Sequence, residues 1–152
     1  MDVRREKSNS PSPAIPSKPL RSAWEVMGIS DERAIGAVKR GLPLKHLDHF
    51  LEVTHLPRTE VLRVLKLTLS ELRKRTDRPR LTPLESERLW RLANVFEKSL
   101  HFFEGNGEQA TEWLNSPQRA LGNVSPLRCS VTEPGAREVE ELIGRIEYGV
   151  FS

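Results

Sequence analysis

Twice along the chain a threonine is followed, three residues on, by a glutamate just ahead of an apolar run: Thr68-Leu69-Ser70-Glu71 and Thr82-Pro83-Leu84-Glu85. In each, the threonine hydroxyl is placed to accept from the glutamate amide, and the carboxylate to accept from the threonine amide. Both donors belong to the unsatisfied group that every helix start carries. The second box adds proline at the first helical position, where no amide hydrogen is needed. The apolar residues beyond each box recur every three or four positions, and strand-like alternation never lasts beyond a few residues. The fold class is therefore all-α.

Other start and stop signals divide the chain. Residues 1–22 hold Pro11, Pro13, Pro16 and Pro19 among serines and lysines and have little to bury, which reads as a disordered or extended tail. Ser30-Asp31-Glu32-Arg33 opens a helix with Ile35 and Val38 on its inner side, and Gly41 ends it. Pro43 starts a helix with Leu44, Leu47, Phe50 and Leu51, and Val61, Leu62, Val64 and Leu65 fill a shorter one after Pro57. From Thr82 the longest helix carries Leu89, Leu92, Phe96, Leu100 and Phe103 on one face, and Gly105-Asn106-Gly107 stops it. A short helix with Ala110, Trp113 and Leu114 precedes a loop over 117–130. The last helix starts at Glu133-Pro134-Gly135, buries Val139, Leu142, Ile143 and Ile146, and is capped by Gly149. Within it Gly144 permits close approach of another backbone. These breaks set domains at 23–104, with a long central helix, and at 105–152.

Composition excludes several classes. With 37% hydrophobic and 30% charged residues the chain reads as an ordinary soluble globular protein. No apolar run reaches membrane-spanning length, and the basic start has no apolar block to make it a secretory signal. A single cysteine, Cys129, forms no internal disulfide and fits a reducing cytoplasm. Charge is unevenly spread. Residues 56–83 carry eight basic and three acidic groups, whereas 84–152 carry seven and eleven. A basic middle suits a polyanion, and the acidic part offers a separate surface.

Residues 58–75, RTEVLRVLKLTLSELRKR, have the form of a helix-turn-helix. The first helix ends near Leu65, and the turn Lys66-Leu67-Thr68 supplies a buried leucine and then the cap. The second turns Leu69 and Leu72 inward and leaves Ser70, Arg73, Lys74 and Arg75 outward. A helix fits the major groove of duplex DNA, with its first residues at base edges and later cations at phosphates. The DNA-facing candidates are therefore Thr68, Ser70, Arg73, Lys74, Arg75 and, just beyond, Arg78. Two residues depart from the motif. Lys66 occupies a position that commonly takes glycine for a positive φ, and Leu62 stands where a small residue lets the helices approach. A helical hairpin with a charged outer face is the competing reading.

Material for an active site is poor. His46 and His49 share a helix face with His55 near, but no third and fourth ligand at recognisable spacing completes a metal centre. Phosphate-binding glycine loops and a nucleophile elbow are absent. Cys129 lies beside Arg128, which can lower a thiol pKa, yet a lone cysteine is more often inert. The chain does not look like an enzyme, and no cofactor or metal is expected.

Residues 113–149 run WLNSPQRALGNVSPLRCSVTEPGAREVEELIGRIEYG. The order W-L, P, L-G-N, P-L, T-E-x-G and R-I-E-Y-G resembles the toxin-binding domain of Xre/MbcA/ParS-type antitoxins. TPLESERLWRLANVF resembles that family's central helix, and 58–75 its degenerate helix-turn-helix. The resemblance covers about 28–150. It implies a cytoplasmic bacterial antitoxin of a RES-Xre type II system, encoded beside a RES-domain toxin that consumes NAD+. The antitoxin would take no catalytic part. It would form a homodimer, assemble with toxin into a larger hetero-oligomer, cover the toxin's NAD+ pocket through its C-terminal domain, and repress its own operon by binding operator DNA. The pairing surface would come from the apolar faces of 84–103 and the first helices. On this view Arg145, Glu147, Tyr148, Gly149, Val150, Phe151 and Ser152 form the blocking segment, with tyrosine supplying a large ring, a polar tip and few rotatable bonds. Packing of Tyr148 onto Trp113 is the structural alternative. A stand-alone helix-turn-helix repressor without a toxin, or a helical adaptor indifferent to DNA, are the rival functions.

Overall fold

In the computed structural model residues 22–30 and 34–149 are described. The expected tail, the Asp31–Arg33 opening of one helix, and Val150, Phe151 and Ser152 lie outside them. The architecture is all-α. The helices are α1 (Ala23–Val26), α2 (Ala34–Arg40), α3 (Leu44–Thr54), α4 (Arg58–Leu65), α5 (Leu69–Arg73), α6 (Pro83–Phe102), α7 (Gly107–Leu114), α8 (Pro126–Cys129) and α9 (Glu133–Glu147), with a 3-10 turn at Arg119–Leu121. Extended pairing among the described residues is confined to two isolated bridges, Pro43–Arg80 and Gln118–Val124. No described helix is long and apolar enough to cross a membrane.

Both threonine boxes form. Thr68 caps α5 and Thr82 caps α6, each accepting from the glutamate amide while the glutamate side chain accepts in return. Helix α6 is the axle. Leu89, Leu92, Val95 and Phe96 are fully buried along it, and α1, α2, α4, α7 and α9 all pack on it. The buried side chains form one continuous cluster from Ala23 to Ile143, so the helix-turn-helix half and the C-terminal half share a core.

Polar ties cross the same boundary. The Arg88 guanidinium donates to the Leu65 carbonyl at 3.1 Å, closing the end of α4. Thr111 on α7 donates to the Thr54 carbonyl that ends α3. Arg128 on α8 grips both carboxylate oxygens of Glu60 on α4 at 3.2 Å. That ion pair holds the Glu60 carboxyl below its usual range.

The stretch 117–130 departs from the expected loop. Gln118 and Val124 pair across the 3-10 turn, Gly122 and Asn123 take left-handed conformations, and Ser125 caps the four-residue α8 with Pro126 at its first position. Gly135 explains how α9 docks there. Any Cβ at that position would collide with the Cys129 carbonyl, so only glycine lets the first turn of α9 rest on the end of α8. At Gly144, the expected place of close approach, a Cβ would meet nothing within 4 Å.

Two inward expectations fail. Ile35 is 67% exposed because Ala34, Ala37 and Val38 supply the inner face of α2. Leu69 is 38% exposed, since it is the first residue of a helix of little more than one turn and only Leu72 reaches the core.

Candidate functional site

The helix-turn-helix assembles as the spacing predicts. Leu62 and Leu67 are buried between its helices, and Lys66 adopts the left-handed conformation (φ 57°, ψ 46°) that glycine more commonly takes. Helix α5 stops at Arg73, with Lys74 as its C-cap, so the expected seven-residue LSELRKR helix is only five residues long.

Its candidates divide by geometry. Thr68, Ser70, Arg73, Lys74 and Arg78 are all exposed. Thr68 is occupied as a cap. Arg75 is not free for a phosphate: its guanidinium lies bidentate on Glu85 at 2.7 and 2.9 Å and also donates to the Arg80 carbonyl. Burial pushes the Glu85 carboxyl up, but the bonds from Arg75 and Thr82 outweigh it, and the net displacement is downward. Arg75 thus ties the end of the basic segment to the start of α6. Arg58, which the spacing of the motif does not single out, joins Arg73 on the wall of a depression of about 550 Å³ with Leu69 on its rim. Its position directly after Pro57, at the first turn of α4, is the signal that could have found it.

The far end of the molecule carries the second surface. Thr132 caps α9, Pro134 sits in its first turn, and Val139, Leu142 and Ile143 bury its shaft. From that anchored shaft Arg145 and Glu147 project into solvent, and Tyr148, the C-cap, is 82% exposed. Gly149 follows in the left-handed conformation. Tyr148 does not pack on Trp113. That indole lies against Phe103, which meets Phe102 edge-on. A groove of about 540 Å³ runs beside the tip between the ends of α6 and α9, lined by Phe102, Glu104 and Ile146 among others. Periodicity puts Phe103 on an inner face but carries no hint of this groove, which depends on where two helices end together.

Elsewhere the chemistry is quiet. His46 spends its ring nitrogen on the Met27 carbonyl at 2.9 Å, and burial chiefly lowers its pKa. No group of three metal-ligating side chains exists among the described residues. The Cys129 thiol is pushed up by burial and by Glu138, while Arg128 beside it is turned to Glu60. It is a poor nucleophile.

Comparison with known proteins matches these two surfaces. The family described as antitoxin Xre-like helix-turn-helix domain matches residues 33–94. The family described as antitoxin Xre/MbcA/ParS C-terminal toxin-binding domain matches residues 92–149. The two matches meet inside α6. An "Antitoxin Xre" of Yersinia enterocolitica is 35% identical over 141 residues, spanning 90% of this chain and 95% of that one. An "Antitoxin Xre" of Photorhabdus laumondii is 30% identical over 94% of this chain and 97% of its own. A "Prs ADP-ribosylating antitoxin" of a Sphingobium species is 28% identical over 78% of this chain and 80% of its own.

Proposed function

The chain belongs to the Xre/MbcA/ParS-type antitoxins, and from that premise we propose that it neutralises a cognate RES-domain, NAD+-degrading toxin by covering its active site. The single observation that carries this reading is Tyr148: an aromatic side chain 82% exposed at the end of a helix whose shaft is locked in the core. A rigid shaft delivers a bulky tip with little ordering cost on binding. The NAD+ assignment is supported by the relative whose name refers to ADP-ribosylation, a transfer for which NAD+ is the usual donor.

Inhibition by contact sets an affinity. Holding free toxin near one per cent at micromolar antitoxin needs a Kd of about 10 nM, or about 11 kcal/mol. A tyrosine alone does not provide that. Arg145, Glu147, the segment Gly149–Ser152, the groove beside Phe102 and the 117–130 region would share the interface. The antitoxin contributes no catalytic group, works in the cytoplasm, and forms a homodimer that assembles with toxin into a larger complex. Residues 105–152 would serve the toxin and 23–104 the operator, on one core. The test is NAD+ consumption by purified toxin. Stoichiometric antitoxin is expected to reduce it to background, and consumption undiminished in a stable complex would overturn occlusion.

Operator binding is proposed for Ser70, Arg73, Lys74 and Arg78, with Arg58 beside them. Reversing two phosphate contacts, as in Arg73→Glu with Lys74→Glu, is expected to weaken a gel shift on the upstream DNA by at least about 100-fold and to flatten its salt dependence. Undiminished binding would remove this surface from the role and favour the helical hairpin.

A further inference from the structure

Three of the six large apolar side chains exposed among the described residues, Ile35, Leu84 and Trp90, collect on one face that neither the DNA surface nor the α9 tip uses. There α2, α6 and α9 border a groove of about 650 Å³. Its wall is a tilted stack of Trp24 on Trp90, ring centroids 5.5 Å apart. Ile35 stands at the edge. Leu84 extends the same stripe of α6 by one turn. A contiguous patch of this kind marks a protein contact.

The charges on that stripe identify the partner. Outward positions of α6 run Leu84, Glu87, Arg91, Asn94, at spacings of three, four and three. That pattern is its own reverse. A two-fold axis at the level of Leu89 sets α6 antiparallel to a second α6. Glu87 then faces the partner subunit's Arg91, and Arg91 faces the partner subunit's Glu87. Leu84 falls over the partner subunit's Asn94, toward the partner subunit's Trp90. Within the chain the neighbouring charges are already paired, Lys98 with Glu140 at 2.9 Å and Arg137 with Glu133 at 3.0 Å. Glu87 and Arg91 take part in no ion pair among the described residues. An acid and a base placed so that each meets its opposite under a two-fold operation fit a second copy of this chain, by symmetry.

We propose that the α2–α6 face, with Glu87–Arg91 pairs crossed about a two-fold axis and Ile35, Leu84 and Trp90 as its apolar centre, is the homodimer interface. It rests on the homodimer of the proposed function and gives that dimer its residues. A dimer built this way leaves both α5 segments and both α9 tips uncovered.

Charge exchange tests it, read as mass by analytical ultracentrifugation of the full chain. Glu87→Arg gives each copy two bases at the crossing, and Arg91→Glu gives two acids. Each variant alone is expected to dimerise at least about 100-fold more weakly than wild type, because like charges meet. Mixed one to one, they are expected to recover a heterodimer near wild-type strength. Both positions are at the surface, so melting temperatures are expected to stay close to wild type.

Single variants that remain dimers overturn this face and leave the homodimer standing. Single variants that are monomeric and stay so when mixed overturn the crossed pairing. A wild-type chain that is monomeric at micromolar concentration overturns both. One that pairs here only with added toxin gives the face to the toxin.

Discussion

Deleting residues 148–152 is expected to abolish rescue of toxin-arrested cells while the protein stays folded. Tyr148 is exposed to 82%, so little native packing depends on it, and surface changes of this kind shift stability by about 0.5 kcal/mol or less. The effect on binding is of another size. Truncating a central aromatic anchor of an interface costs about 2 kcal/mol or more, roughly 30-fold in Kd. Starting from a Kd of about 10 nM, a loss of that size raises the free toxin at micromolar antitoxin from about one per cent to about a quarter. An NAD+-degrading enzyme a quarter active is not contained. Tyr148→Ala should reproduce most of the loss, and titration calorimetry against purified toxin measures it. Full rescue by the truncated chain, with an unchanged thermal transition, would show that the tip is not the stopper.

Phe96→Ala is expected to have the largest effect on stability and to disable both surfaces together. Phe96 is completely buried in the middle of α6, and the cavity left by losing the ring costs about 3–5 kcal/mol. Against a total of about 5–15 kcal/mol for a domain, that lowers the melting temperature by about 10–15 °C. Toxin inhibition and operator binding should then decline along the same temperature curve, because one core carries both. Loss of DNA binding with toxin inhibition intact at the same temperature would mean that the C-terminal half folds by itself.

Legibility in the chain differs from element to element. Helix starts with a complete chemical signature, Thr68 with Glu71 and Thr82 with Glu85, are readable because the partners lie three residues apart. Helix α8 carries only half a signature: Ser125 and Pro126 are present, but Arg128 stands where a glutamate would close the box. Four residues are also too few to show periodicity. Arg75 looks like one cation in a run of cations. Its partner Glu85 is ten residues on and already engaged as a helix cap, so only the folded chain shows that this carboxylate does both tasks. Ile35 reads as inward by size, whereas Ala34, Ala37 and Val38 let α2 approach α6 closely on the other side. Tyr148 is different. A residue past a helix end, with no apolar neighbour at helical spacing to join, has little to pack against, and its exposure is a direct result.

The clasp between Arg128 and Glu60, together with the unbroken interior along α6, has a consequence for protein engineering. Chimaeras that join the operator half of one antitoxin to the neutralising half of another lack a seam at which to be spliced. A junction at residue 104 would bring a foreign α9 against a native α6, and a guanidinium at the graft would look for a carboxylate the other parent never carried. Exchange of specificity is better sought at the surface, by transplanting the final turn of α9 and the short terminal segment beyond it onto an otherwise untouched body.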